Sequence, residues 1–203
     1  MYKSEYKEDL FIDKMMQGKQ GGFFVDVGAY DGINFSNTWF FEKVRGWNGI
    51  CLEPNPELYA KLLKSRWCKC YPLAAAPTTG DLEFTKVDGV LDGWSGLTEW
   101  YDPKHLDRLK KRAPSAKIET VQVPCQNLNE LLEQNGVTQV DYLSIDTEGS
   151  EYAILKDFDF EKVRVDLITV ENNYDRDPIR EMLKEKGFDF KVSLEVSEVY
   201  ARG

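Results

Sequence analysis

Two apolar, strand-like runs in this chain end on acids. "DYLSIDTEGSE" carries Asp146 and Glu148 two residues apart with Glu151 just beyond, and "LITVENN" ends on Glu171, Asn172 and Asn173. Alternation along a strand puts residues two apart on one face, so Asp146 and Glu148 are expected together at a carboxyl end, with Glu171 beside them on the next strand. Acids gathered at one sheet edge suit removal of a proton from an acceptor hydroxyl. Asp146 is the expected base, and Glu148 or Glu171 the alternate base or a ligand of that hydroxyl. The site is expected to be metal-free, although oxygen ligands of this kind also suit Mg²⁺. Glu148 and Glu151 have a second reading, as caps of the following helix.

A second constellation lies in "FFVDVGAYDGINFSNT", residues 23–38. An apolar run breaks at Gly28, passes Tyr30, Asp31 and Gly32, and ends in Asn34, Ser36, Asn37 and Thr38, which suit a helix start. A dinucleotide turn wants G-x-G-x-x-G, its middle glycine admitting a pyrophosphate; here a tyrosine and an acid stand in the way. The turn instead suits a ligand carrying a carboxylate and an ammonium. Backbone amides and the Asn/Ser/Thr cluster would receive the carboxylate, and Asp26 or Asp31 would face the ammonium. About 25 residues on, "CLEPNP" ends the next strand at Glu53 and Pro54, where an acid accepts both hydrogen bonds of a ribose diol. Turn, cap and acid together fit S-adenosylmethionine. An NAD-dependent oxidoreductase fits less well, and a non-catalytic module that keeps only the nucleotide fold remains an alternative.

The elements that must position these residues follow from alternating signals. "GFFVDVG", "WNGICLEP" and "CKCYPLAAA" read as strands, separated by helices over "SNTWFFEKVRG" and "PELYAKLLKS". "IETVQVPCQ", "VDYLSIDTEG" and "VDLITVENN" continue the strands, with helices over "NLNELLEQNG", "SEYAILKDF" and "DPIREMLKEKG". Such order predicts a mostly parallel, doubly wound sheet of about seven strands with helices on both faces. "FDFKVSLEVSEVYA" predicts a closing antiparallel hairpin. A short helix over residues 4–17, with Tyr6, Leu10 and Met15 on one side, precedes the first strand within an N-terminal segment, residues 1–20. The 203 residues read as one domain.

Between residues 78 and 117 the rhythm breaks. "DLEFTKV" alternates like an edge strand, and "DGVLDGWSGLTEWYDPKHL" has no sustained period and reads as a substrate-facing loop excursion. Trp94, Trp100 and Tyr101 offer an aromatic platform for a sugar face. His105, the only histidine, is expected on an exposed helix face with Lys104, Arg108, Lys110, Lys111 and Arg112; a base role for it, or contact of this basic cluster with an anionic substrate, is the alternative. The formal net charge of −9 disfavours a nucleic-acid partner. The apolar content of 42% comes in no run long enough to span a membrane, and no secretory leader pattern opens the chain, so a cytoplasmic protein is expected. Cys51, Cys68, Cys70 and Cys125 show no CxxC pair and read as reduced thiols in strands.

With those residues in view, the chain resembles the FkbM family of S-adenosylmethionine-dependent methyltransferases. "FFVDVGAYDG", "SNT", "GWNGICLEPNPELY", "SGL" and "DYLSIDTEGSEYAIL" fall in that family's order over nearly the whole length. The resemblance implies a Rossmann-like class I core and transfer of a methyl group to a hydroxyl of a sugar or other small molecule or glycan. It implies that Asp26, Gly28, Tyr30, Asp31, Gly32, Asn37 and Thr38 hold the methionine end of the cofactor and that Glu53 with Pro54 holds the ribose. Ala74 would lie beside the adenine, and Ser95 of "WSGL" and Asp146 near the cofactor. No family motif covers residues 101–114, which leaves the acceptor unnamed.

Overall fold

The computed structural model describes residues 1–173 and 178–203. Helix α1 (Glu8–Met15) leads into β1 (Phe23–Val27), α2 (Trp39–Arg45), β2 (Asn48–Leu52), α3 (Pro56–Ser65) and β3 (Lys69–Tyr71). Strands β4 (Ala74–Ala75), β5 (Gly80–Asp88) and β6 (Gly96–Leu97), helix α4 (Pro103–Arg112) and β7 (Lys117–Gln126) follow. Then come α5 (Leu128–Gln134), β8 (Gln139–Ile145), α6 (Glu151–Asp157), β9 (Arg164–Glu171), α7 (Ile179–Glu185), β10 (Phe188–Leu194) and β11 (Ser197–Arg202).

Seven strands form the main sheet in the order β3-β2-β1-β8-β9-β11-β10. Strands β3, β2, β1, β8 and β9 pair parallel, whereas β11 is antiparallel to both β9 and β10. So β10 runs with the parallel set and β11 alone is reversed. Alternation along the strands builds both cores. Val25, Val27, Ile50, Leu52 and Ile145 face the layer of α5, α6 and α7. Phe24, Cys51 and Tyr142 face the other way, against Ile12 of α1, Phe41 of α2 and Leu62 of α3. The chain leaves β1 toward β2 on one side and returns through β8 on the other. That reversal opens a crevice at the carboxyl ends of β1 and β8.

Several elements differ from the sequence reading. "CKCYPLAAA" is not one strand: β3 joins the main sheet, and after Pro72 the chain crosses to β4 in a second sheet of order β4-β7-β5-β6. "IETVQVPCQ" belongs to that second sheet too, and β5 is interior to it, paired to β7 and β6. The excursion is therefore a β-hairpin, β5–β7, whose tip carries β6 and α4. The first helix is shorter than its pattern and buries Glu8, Asp9, Ile12 and Asp13. Polar bonds override its apolar stripe: Ser197 donates to Glu8, Ser4 to Asp9 and Arg45 to Asp13. The last helix starts at Ile179, and Asp177, where the sequence reading begins it, lies outside the described residues.

Candidate active site

A cavity of about 400 Å³ occupies the crevice. Its floor is the turn after β1, its far end the carboxyl ends of β8 and β9, and its roof the tip of the β5–β7 hairpin. Of the residues expected at a cofactor, Asp26, Gly28, Tyr30, Asn37, Glu53, Pro54, Ala74, Ser95 and Asp146 line it. Asp31, Gly32 and Thr38 are not in the wall; they hold the turn from behind. Asp31 accepts hydrogen bonds from the backbone amides of Ile33 and Asn34. A side chain at Gly32 would meet Ser65 at 2.4 Å and Leu62 at 2.7 Å, and its φ of +80° favours glycine. Thr38 donates to Asp26 at 2.5 Å and accepts from Arg66.

Of the two acids expected to face a ligand ammonium, Asp26 lines the cavity and Asp31 does not. Asp26 is only 3% exposed and sits in a buried network, with Thr38 and with Arg66, which also pairs with Glu42 at 3.0 Å. The Asn/Ser/Thr cluster is likewise more engaged than its composition suggests. Ser36, rather than Thr38, accepts from the first amide of α2, Asn34 donates to Asp31, and Asn37 donates to Ser144 of β8. One atom is left over: Oδ1 of Asn37, buried in the cavity wall, has no hydrogen-bond partner among the described residues. An orphaned acceptor there fits a donor group on a ligand.

Glu53, 6% exposed, receives the backbone amides of Tyr30 at 3.0 Å and Asn55 at 2.8 Å, one on each oxygen. Burial outweighs these bonds and pushes its carboxyl up to about 8. The folded chain thus keeps a proton here that the unfolded chain releases near 4.5, so Glu53 lowers stability as pH rises. In denaturant titrations the stability of Glu53→Gln should gain on the parent by about 1.4 kcal/mol per pH unit between about pH 5 and 8, then level off. A parallel pH dependence in the two chains would contradict it.

Asp146, Glu148 and Glu171 meet as expected, for a different reason. Strand β8 stops at Ile145, and Asp146 to Gly149 form a loop in which Glu148 has φ +61°. That turn, not strand alternation, brings one carboxylate oxygen from each acid within 4.8 Å of the others. Asp146 is exposed to the cavity, and desolvation by the protein packed around it, with the nearby Glu151 charge, raises its carboxyl to about 7. Burial and the neighbouring acids push Glu148 and Glu171 well above the usual carboxylate range. Asn173 donates to Glu148 at 3.3 Å. Glu151 turns away and closes the loop, accepting from the amides of Thr147 and Gly149.

Three glycines key the elements together. A Cβ at Gly28 would lie 1.8 Å from the carbonyl oxygen of Asp146, one at Gly149 2.4 Å from that of Trp100, and one at Gly96 3.0 Å from that of Thr147. The hairpin tip is thus seated directly on the acidic loop. Ser95 braces the tip, accepting from the Val87 amide and donating to the Asp92 carbonyl. Tyr30, on the turn, donates to Asp92 at 2.7 Å.

His105 is not on an exposed face. It is 2% exposed, 3.4 Å from Glu148, and packed by the rings of Trp94 and Tyr101 at 4.7 and 5.0 Å. Burial, aided by Arg108, lowers it to about 4, so the ring is neutral at physiological pH. Trp94, Trp100 and Tyr101 do not form one platform. Trp94 lines the cavity, Tyr101 donates to the Trp94 carbonyl, and Trp100 packs on the second sheet. Arg108 and Arg112 line the cavity, each 5.4 Å from the Trp94 ring centre. With His105 they stand at i, i+3 and i+7, a helical stripe visible in the sequence but read there as solvated. Tyr6 and Asp92, also in the wall, carry no motif that singles them out.

Among the described residues no helix is long and apolar enough to cross a membrane. No curated protein matches this chain. Among solved structures, a methyltransferase FkbM from Methylobacillus flagellatus superposes with a TM-score of 0.59 at 11% identity, over 98% of this chain and 48% of that one. This chain therefore spans about half the length of that protein. A TehB-like SAM-dependent methyltransferase from Corynebacterium glutamicum gives 0.49 at 11% identity, over 98% and 88% of the two chains. Aeropyrum pernix fibrillarin, solved with S-adenosyl-L-methionine bound, gives 0.46 at 11% identity over 97% and 76%. The seven-stranded sheet with one reversed strand is a Rossmann-like class I methyltransferase fold. The sequence profile of the methyltransferase FkbM domain matches residues 26–190, most of the chain, and this protein belongs to that family.

Proposed function

We propose that this methyltransferase is an S-adenosylmethionine-dependent O-methyltransferase whose acceptor is a hydroxyl of a small molecule or glycan, a sugar being the preferred class. The observation that carries this reading is the carboxyl cluster of Asp146, Glu148 and Glu171 at the strand ends, pressed against the turn at Gly28. The cavity residues fit the cofactor. Glu53, giving up its proton as a ribose diol binds, would accept on both oxygens, the orphaned Asn37 oxygen suits the ammonium, and Leu73, Ala74 and Phe84 give an apolar wall for adenine. When bound, the cofactor supplies an electrophilic methyl group on a sulfonium.

The chain's own residues have two tasks. The first is positioning, since holding reactants at about 3 to 3.5 Å makes the reaction effectively intramolecular. Glu148, Glu171 and Asn173 offer hydrogen bonds suited to neighbouring hydroxyls of a polyol, and Trp94 offers an apolar face. The second is proton removal. A sugar hydroxyl becomes an adequate nucleophile only as its proton leaves, and Asp146 titrates close to neutral pH, the best value for a general base.

Release of S-adenosylhomocysteine over a panel of glycosides and other hydroxylated acceptors tests the assignment; turnover confined to amine or carboxylate acceptors would contradict it. Glu53→Gln should weaken S-adenosylmethionine binding about 10-fold or more by calorimetry, because an amide accepts on one atom only. Binding of NAD in preference to S-adenosylmethionine would overturn the cofactor assignment.

The close approach of the three carboxylates also favours a second reading, in which they hold a divalent cation that orients two acceptor oxygens. Turnover that disappears with EDTA and returns with Mg²⁺ supports that version. Turnover indifferent to EDTA leaves Asp146 as a metal-free base.

A further inference from the structure

Three of the four cysteines converge on the opposite side of β2 from the main helical core. Cys51 lies in β2 and Cys70 in β3, where they are register partners, and Cys68 precedes Cys70 by two residues. The Cys51 and Cys68 sulfurs are 3.5 Å apart, and all three sulfurs lie within 4.8 Å of one another. Zinc–thiolate bonds of about 2.3 Å place sulfurs about 3.8 Å apart around a tetrahedral ion, so this spacing needs little adjustment.

The surroundings hold the cluster in place. Glu42 accepts the backbone amides of Trp67 and Cys68 at 3.0 and 2.7 Å, and its other oxygen is fixed by Arg66. Tyr59 donates to the Cys70 carbonyl at 3.1 Å. Cys51 is buried, but Cys68 and Cys70 are half-buried, which leaves an entry route and a side open to solvent. The chemistry proposed for the cavity uses none of these groups.

We propose that Cys51, Cys68 and Cys70 form a three-thiolate site for a thiophilic divalent ion, Zn²⁺ being the expected occupant, with solvent as fourth ligand. Binding releases the thiol protons to solvent as the metal–sulfur bonds form. The ion would fasten β3, a three-residue edge strand, to β2 directly behind Glu53. The site is independent of the reaction proposed for the cavity.

Titration of the reduced 203-residue chain with Cd²⁺ tests this, read by the ultraviolet thiolate-to-metal charge-transfer band, to which a carboxylate cluster does not contribute. One equivalent should saturate the band, a large excess of Zn²⁺ should compete it away, and bound metal should raise the melting temperature. Cys68→Ser and Cys70→Ser, at half-buried positions, should each weaken binding by more than about 10-fold. Cys125→Ala, a cysteine of the second sheet, should keep the band intact. Circular dichroism shows that the variants compared are folded. Absence of the band with the parent chain, or its survival in the Cys68→Ser/Cys70→Ser double variant, would overturn the proposal.

Discussion

Replacement of Asp146 by asparagine should lower kcat by about 10²- to 10⁴-fold, the range supplied by a positioned general base. Affinity for S-adenosylmethionine should stay within a few-fold, since asparagine keeps the shape of aspartate and the loop is set by backbone contacts to Val27 and Gly28. The pH profile carries the sign. A base must be ionised to accept the proton, so kcat of the parent should fall as pH drops below about 7, the value to which burial raises this carboxyl. The amide of the Asp146→Asn chain has no such titration, so in the variant that limb should vanish. Single-turnover methyl transfer over about pH 5 to 9 reads both effects. An unchanged rate, or a lost rate with the acid limb intact, assigns the proton to Glu148 or Glu171, which stand within 4.8 Å of it.

The second large effect is expected at Gly28. Alanine there would put its Cβ 1.8 Å from the Asp146 carbonyl oxygen, at a backbone φ of +86°. Neither neighbour can yield cheaply. The Gly28 amide is bonded to Leu52 and the Asp146 amide to Val27, so relief requires parting the ends of β1 and β8. Strain at a left-handed φ and overpacking together should cost about 3 to 5 kcal/mol. Denaturant midpoints measure it, and binding of S-adenosylmethionine should be lost in whatever fraction still folds. A Gly28→Ala chain as stable as the parent, binding cofactor normally, would show that this junction is looser than its contacts indicate. Gly46 makes a useful control, because nothing lies within 4 Å of its missing Cβ.

These two residues also show how far the sequence could be read. Gly28 announced a turn after a strand, and the turn is there. Its reason was not legible: the glycine is required by the carbonyl of Asp146, far along the chain, and periodicity says nothing about which loops will touch. The acids gathered as expected, but Glu148 comes beside Asp146 through a left-handed turn rather than through strand alternation. Thr38 and Asp26 belong to the motif yet bond each other over Arg66, a residue that no motif contains.

The hairpin tip sets the limit most clearly. Residues 88–106 lack a sustained period because they are shaped by what they sit on. Gly96 and Gly149 admit opposing carbonyls, Tyr101 and Trp94 enclose His105, and His105 faces Glu148. A histidine in a basic, polar helix reads as solvated, since local composition is all a sequence shows. In the fold the same helix is roofed over the acids, and burial leaves the ring neutral.

By itself the sequence determined the alternating α/β order, the placing of Gly28, Glu53 and Asp146 at strand ends, and the family. The first two depend on local periodicity and turn chemistry, which are written in consecutive residues, and the family on the likeness of its motifs. Only the tertiary structure decided that the excursion is a second sheet and that His105 and Arg108 face the cavity. It alone decided that Asp26 serves a buried network and that three cysteines on and beside β2 and β3 share one pocket. Those facts depend on which distant surfaces exclude water between them. Exclusion of water sets both the contacts and the proton affinities of this site.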